Sequence, residues 1–242
     1  MLARAALIAL FAGCGGARPA LPPLPSVPGP PRPLAEARAL LAELRLREDA
    51  AGSWKAVHSL SIEDRRSLRS ARLRGVLLVR RPDRFRLRLL GPAGMTAMDL
   101  LFVAPRYQLA IPGGPAISGA DARRERRLPV DAMARAFLRV YDGEPVALHT
   151  SATRRRLDLR GAGGVRRTLV VGGDRPEVLV DSARGDGGES LRVTYADWRE
   201  IEGRRLPFRV RMDLPQREIT ARVEVERYEL DPRVPADAFE MP

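Results

Sequence analysis

The sequence offers few side chains able to make or break bonds. One cysteine, Cys14, and two histidines, His58 and His149, are its whole stock of soft ligands and near-neutral bases. The histidines stand far apart, with no acidic or cysteine partners at ligand spacing, so no metal centre is expected. No serine occupies a G-x-S-x-G elbow, and a nucleophilic mechanism has no evident apparatus. The glycine pairs Gly113–Gly114, Gly163–Gly164, Gly172–Gly173 and Gly187–Gly188 read as hairpin turns; none opens a helix with phosphate-cradling spacing. Carboxylates such as Asp197 and Glu200 flank a turn, where solvation is the ordinary explanation. A paired-carboxylate hydrolase is the one catalytic alternative left, and the expectation is a non-enzyme without cofactor.

The lone thiol then needs another use, because a single cysteine closes no intrachain disulfide. Before it stands "MLARAALIALFAG": Arg4 supplies a positive start, Ala5 to Phe11 a short apolar run, and Ala12–Gly13 a small-residue cleavage site. That is the grammar of a signal peptide over 1–13, and the run is too short to span a bilayer. "FAGC" resembles the bacterial lipobox, except that Leu is usual where Phe11 stands. The resemblance implies lipidation of Cys14, and two or three acyl chains anchor stably at about 0.8 kcal/mol per buried CH₂. An export signal with an incidental cysteine is the plainer alternative. Gly15 and Gly16 follow without the Asp that signals retention in enteric bacteria, so by analogy the destination is an outer membrane, facing the periplasm. Residues 18–33, "RPALPPLPSVPGPPRP", favour extended polyproline geometry, and 14–33 reads as a lipidated cysteine with a tether.

What remains, 34–242, is about 210 residues, enough for one large domain, and no second linker or fixed-period repeat divides it. The formal charge of +12 is almost all arginine, Lys55 being the only lysine. Basicity of this size raises nucleic acid or anionic lipid as partners. Yet in "DRFRLRLL" Arg84, Arg86 and Arg88 alternate with Phe85, Leu87 and Leu89, and Arg209 and Arg211 alternate with Phe208, Val210 and Met212. Period two places the arginines on one face of a sheet as a solvated surface, and no nucleic-acid partner is expected.

The elements follow the same periods. "PLAEARALLAELRLRED" is an amphipathic helix with Pro33 near its first position. Five strands come next, two of them joined at Arg81–Pro82–Asp83, and the last ended by Pro112. "LPVDAMARAFLRVYDG", 128–143, spaces its apolar residues helically and closes on Gly143, giving a helix near 129–141. Six further strands punctuated by Gly, Asp and Pro complete a mainly β (α+β) chain. With no βαβ alternation, the expectation is a single strongly curved antiparallel sheet of about eleven strands, an unclosed half-barrel with both helices over its concave face. Phe85, Leu87, Leu89, Tyr107, Leu109, Ile111, Leu206, Phe208, Val210 and Met212 are the candidates for lining that face. Whether they form a dry core or an acyl-chain groove, periodicity does not decide.

The leader, the helix, the split meander and the tail "YELDPRVPADAFEMP" together resemble the LolA/LolB superfamily of lipoprotein-sorting proteins. "RRPDRFRLRLLGPAGMTAMDLLF", 80–102, is the most specific local match, and "LDPRVPADAF", 230–239, a weaker one. The resemblance implies a cavity that holds the acyl chains of a lipoprotein in transit, received from a periplasmic carrier by a protein anchored in the outer membrane's inner leaflet. It also implies a bulky apolar residue protruding from the Pro-x-Gly loop to aid membrane insertion. Ala93 stands at that position, a departure from the pattern, and Leu90 or Met95 are the substitutes nearby. A structural or interaction lipoprotein with a filled core and a protein partner is the competing expectation.

Overall fold

In "SWKAVHSLSIED" every second side chain, from Trp54 to Asp64, is buried. That alternation makes Ser53–Asp64 a strand with one face toward the interior. The structure, a computed structural model, describes residues 21–114, 116–119, 130–172 and 176–240; Cys14 and the segment read as a signal peptide lie outside them. Helix α1 (Leu34–Ala50) precedes strands β1 (Ser53–Asp64), β2 (Arg69–Arg80), β3 (Arg84–Leu90), β4 (Thr96–Val103), β5 (Arg106–Ala110) and β6 (Ile117–Gly119). Helix α2 (Val130–Leu138) then interrupts the strands. After it come β7 (Glu144–Thr150), β8 (Arg154–Arg160), β9 (Arg166–Gly172), β10 (Glu177–Gly185), β11 (Gly188–Ile201), β12 (Arg204–Leu214) and β13 (Ile219–Leu230).

All thirteen strands form one sheet in the order β6-β5-β4-β3-β2-β1-β13-β12-β11-β10-β9-β8-β7, and every pairing is antiparallel. Its edges β6 and β7 do not meet, so the barrel is unclosed, as the sequence implies. The strand count exceeds the expected eleven by β6 and β7. The first has three residues, too few to show a period, and the second carries Pro145 next to its start, with a register shift between Pro145 and Ala147.

The curvature can be read from α2. Phe137 packs edge-on against Phe85 of β3 at 5.7 Å, while the Ala136 carbonyl accepts from the Tyr195 hydroxyl of β11 at 3.3 Å. Five strand spacings separate β3 from β11, about 24 Å in a flat sheet, against a helix diameter of about 10–12 Å. Only a sheet curled around the helix brings both within reach. Helix α2 also ends sooner than its pattern predicts, at Leu138 and not near Gly143. Arg139 turns to φ 49°, a left-handed conformation that stops the helix.

Basic side chains of the convex face are paired along a strand, as Arg211 with Asp213 at 2.8 Å, or across strands. Asp99 of β4 takes Arg86 at 2.8 Å and Arg88 at 3.0 Å, and Lys55 meets Glu229 at 3.1 Å. The C-terminal turn Ala236–Phe239 covers part of the same face, where Phe239 packs with Leu101 and lies under the Arg80 guanidinium.

Residues 21–33 do not stand off the domain. Val27 packs with Val170 and Val180, the Arg32 amide donates to the Leu148 carbonyl at 2.8 Å, and Pro31 bridges His149 on edge strand β7. The segment thus covers part of a sheet edge that would otherwise be open to foreign strands. It approaches so closely at Gly29 that a Cβ there would lie 2.1 Å from the Thr150 carbonyl oxygen. Gly29→Ala is therefore expected to lift the segment from β7, at a local cost of about 1 kcal/mol or more. Limited proteolysis read by mass spectrometry should show faster cleavage within 21–33, with the sheet itself still resistant.

Candidate functional site

The concave face is lined row by row with apolar side chains. Trp54, Ala56 and Leu60 of β1, Leu77 and Val79 of β2, Leu157 of β8, Leu169 of β9 and Val193 of β11 join one continuous cluster. Seven of the nine α2 residues are buried in it, including Val130, Met133, Phe137 and Leu138. Of the residues singled out from the sequence, Phe85, Leu87, Leu89, Tyr107, Leu109, Val210 and Met212 belong to this cluster, and Ile111 packs against it half-buried. Leu206 and Phe208 are buried but stand outside it. Opposite Phe208, Asp197 adopts φ 56°, and beyond it Trp198 and Pro207 are paired and turn toward the interior instead. Strict alternation along β12 therefore misassigns the two residues past that irregularity.

The loop carrying the three membrane-insertion candidates is a tight turn in which the Gly91 amide donates to the Met95 carbonyl at 2.7 Å. Ala93 is exposed at φ 59°, Leu90 is half-buried at the end of β3, and Met95 is 70% exposed. The same turn recurs between β8 and β9, where Gly161 donates to Val165 at 2.8 Å and Gly163 takes φ 66°.

A pocket of about 310 Å³ opens at Phe102, Ala134 and Leu138, but beneath Ala136 and Phe137 the bowl is filled. A void of about 20 Å³ remains between Phe137, Ala136 and the β1, β12 and β13 rows, room for one water and far from room for an acyl chain. His58 of β1 lines this void at 0% exposure, and neither ring nitrogen has a hydrogen-bond partner. Burial pulls its pKa down to about 4, opposed by the nearby Ala56 backbone and the Glu226 charge. Gly75, directly opposite on β2, leaves the ring its space, since a Cβ there would meet the His58 Cε1 at 3.1 Å and the Arg88 carbonyl oxygen at 2.6 Å.

A helix ending inside an apolar bowl leaves carbonyls without intrahelical partners. Three arginines bond the terminal carbonyl of α2 and two in the chain just past it. Arg81, after β2, donates to the Leu138 carbonyl, Arg167 of β9 to Val140 at 2.6 Å, and Arg45 of α1 to Tyr141 at 2.9 Å. Arg167 is among the most buried side chains in the protein. It forks onto Asp181 of β10 at 2.7 and 2.5 Å, also meets Asp142 at 2.6 Å, and lies over the Tyr141 ring. Arg81 and Arg139 converge on Glu48 of α1, whose Oε1 accepts from the Tyr141 hydroxyl at 3.3 Å. Burial drives the Tyr141 and Tyr195 hydroxyls well above the usual phenol range, so both remain neutral donors. This buried ionic clamp went unread in the sequence, although parity alone carries part of it: Arg167 shares the inward row of Leu169, and His58 that of Trp54 and Leu60.

The geometry defines a class, an unclosed antiparallel half-barrel plugged by a helix on its concave side. The fold is LolA/LolB-like. A LolA superfamily protein from Nitrosomonas europaea superposes with a TM-score of 0.60 at 13% identity, covering 85% of this chain and 97% of that one. An outer-membrane lipoprotein-sorting protein domain from Vibrio parahaemolyticus gives 0.58 at 10%, covering 86% and 97%. A DUF1329 family protein from Desulfovibrio piger gives 0.63 at 12%, covering 84% and 97%. No protein-family model and no curated protein matches the sequence.

Two outcomes follow from the clamp and from the buried histidine. Arg167→Met strands the Asp181 carboxylate in the interior and should cost about 3–5 kcal/mol in urea unfolding, while the double variant Arg167→Met/Asp181→Leu recovers most of that loss. Below about pH 6.5 the unfolded chain takes up a proton at His58 that the folded chain refuses until about pH 4. Stability therefore falls as pH drops through that window, by about 3 kcal/mol at its lower end. In His58→Met that part of the slope should vanish from the pH dependence of the unfolding midpoint.

Proposed function

We propose that this protein receives the acyl chains of a lipid or lipoprotein on its concave face, α2 being displaced to admit them, and that it acts from the outer membrane while anchored through Cys14. One observation carries the reading: the surface α2 covers is a continuous apolar bowl, and its C-terminal end is held by side chains and not by the sheet's own backbone ladder. Binding of this kind uses area and no catalytic group, each methylene contributing about 0.8 kcal/mol, so the reading describes a carrier or receptor and not an enzyme. The lipoprotein-sorting name of one structural neighbour agrees with it. Acylated lipoproteins, delivered by a periplasmic carrier, are the cargo the reading implies. Met95, a large apolar side chain exposed on its loop, is the candidate for touching the bilayer.

The void of about 20 Å³ favours a second reading, a filled scaffold lipoprotein of the envelope that works through a protein partner. Titration of the full chain carrying Cys14→Ser with a triacylated cysteine peptide and its unacylated twin separates the two. On the acyl reading only the acylated peptide binds, the affinity survives moderate salt, and Arg81→Met raises it about tenfold by loosening the end of α2 at a cost of one charged hydrogen bond. Absence of binding to either peptide, with Arg81→Met merely less stable, would sink the acyl reading and leave the scaffold.

A further inference from the structure

Where the last turn of α1 faces the β11–β12 hairpin, a pocket of about 350 Å³ opens. Its inner wall carries Arg139 and Trp198, with the guanidinium 5.5 Å above the indole ring. Both are buried donors left incomplete: Arg139 Nη1 and Trp198 Nε1 have no hydrogen-bond partner. Arg139 is only 3% exposed, and an unmade bond to a charged donor in such a place is costly.

The charge balance points the same way. Arg139 lies 3.0 Å and Arg81 3.4 Å from one carboxylate oxygen of Glu48, so two guanidiniums share a single anion with their side chains 3% and 5% exposed. The next carboxylate along, Asp49, is exposed. Arg167 cannot lend one, since Asp181 is already forked onto it. A net positive charge thus sits in the interior beside the pocket, where an uncompensated ion is disfavoured. The rim adds Arg47, Arg204 and Arg205, which are held by Glu43 at 2.8 Å, Asp231 at 2.7 Å and Glu177 at 2.7 Å, so the unbalanced charge is that of the inner wall.

We propose that this pocket is a site for a phosphate ester, with Arg139 and Trp198 as the inner donors and with Arg47 and Arg204 exchanging Glu43 and Asp231 for the outer oxygens. The donors come from α1, β11, β12 and the residue after α2, four directions that suit a tetrahedral oxyanion better than a planar carboxylate, which one arginine fork satisfies. The volume exceeds that of bare phosphate and accommodates a small organic group on it. A lipid headgroup and a soluble phosphate ester present the same chemistry here. The site does not depend on acyl binding in the bowl.

The test reads the indole N–H signals of the ¹⁵N-labelled full chain carrying Cys14→Ser. Trp54 and Trp198 are its only two tryptophans, and Trp198→Phe assigns them. Inorganic phosphate, glycerol 3-phosphate and dihexanoyl phosphatidate below its micelle concentration are titrated in turn, against chloride at equal ionic strength. The Trp198 signal should shift saturably with glycerol 3-phosphate, and Arg47→Gln and Arg204→Gln, both at the rim, should each weaken that binding about tenfold. Equal affinity for the two esters identifies a soluble phosphate ester as sufficient, and tighter phosphatidate binding identifies a headgroup. A Trp198 signal that no phosphate probe moves in a folded chain overturns the proposal, as does a shift that chloride reproduces or that both rim variants leave unchanged. Because glycerol 3-phosphate has no acyl chain, either outcome leaves the acyl reading to its own titration.

Discussion

The structure turns on what happens to a helix end placed inside an apolar bowl. Helix α2 brings seven buried side chains to the concave face, but it also brings its terminal carbonyl at Leu138, and the chain just past it adds those of Val140 and Tyr141. Unbonded in that interior, each carbonyl would cost about as much as a large buried side chain contributes. Arg81, Arg167 and Arg45 meet them, and several acidic groups nearby answer those charges. Asp181 and Asp142 balance Arg167, Glu48 balances Arg81, and Tyr141 spans from Arg167 to Glu48. The sheet's curvature, the early stop at Arg139 and the packing of α1 over the rim are all conditions for this convergence.

The fold was legible wherever one period held for several residues. Phe85, Leu87 and Leu89 alternate with paired arginines, and that alternation alone gives the inward face of β3. Legibility fails where the backbone departs from the period. Asp197 at φ 56° ends the parity that links Val210 to Phe208, and a three-residue β6 has no period to detect. The ionic clamp was illegible for a different reason. In a chain so rich in arginine, Arg81 and Arg167 look like their solvated neighbours, and their partners lie far away in sequence: Arg81 reaches Leu138, and Arg139 reaches Glu48. Only the curled sheet brings them together.

The proline-rich segment shows the same limit. Its composition speaks for an extended backbone, but composition cannot say that such a chain will find an edge strand. Val27 and the small Gly29, lying between prolines, let it settle against Val170 and β7. An anchor attached upstream would therefore be held close to this flank of the domain and not at the end of a free spacer.

The filled bowl and the acyl reading are less opposed than they look. Exposing Val130, Met133, Phe137 and Leu138 of α2 forfeits about 2 kcal/mol each, about 8 in all. An acyl chain of about fourteen methylenes entering the same surface recovers about 11. The two occupants are matched to within a few kcal/mol, so the apolar exchange alone neither holds α2 in place nor expels it. The balance is then set by the polar end, where breaking the bonds of Arg81, Arg167 and Arg45 to the helix carbonyls costs roughly 1.5–3 kcal/mol for each charged bond. On the acyl reading these magnitudes would make the clamp a threshold, one that a ligand bringing more than one chain, or a partner engaging the arginines, would have to exceed.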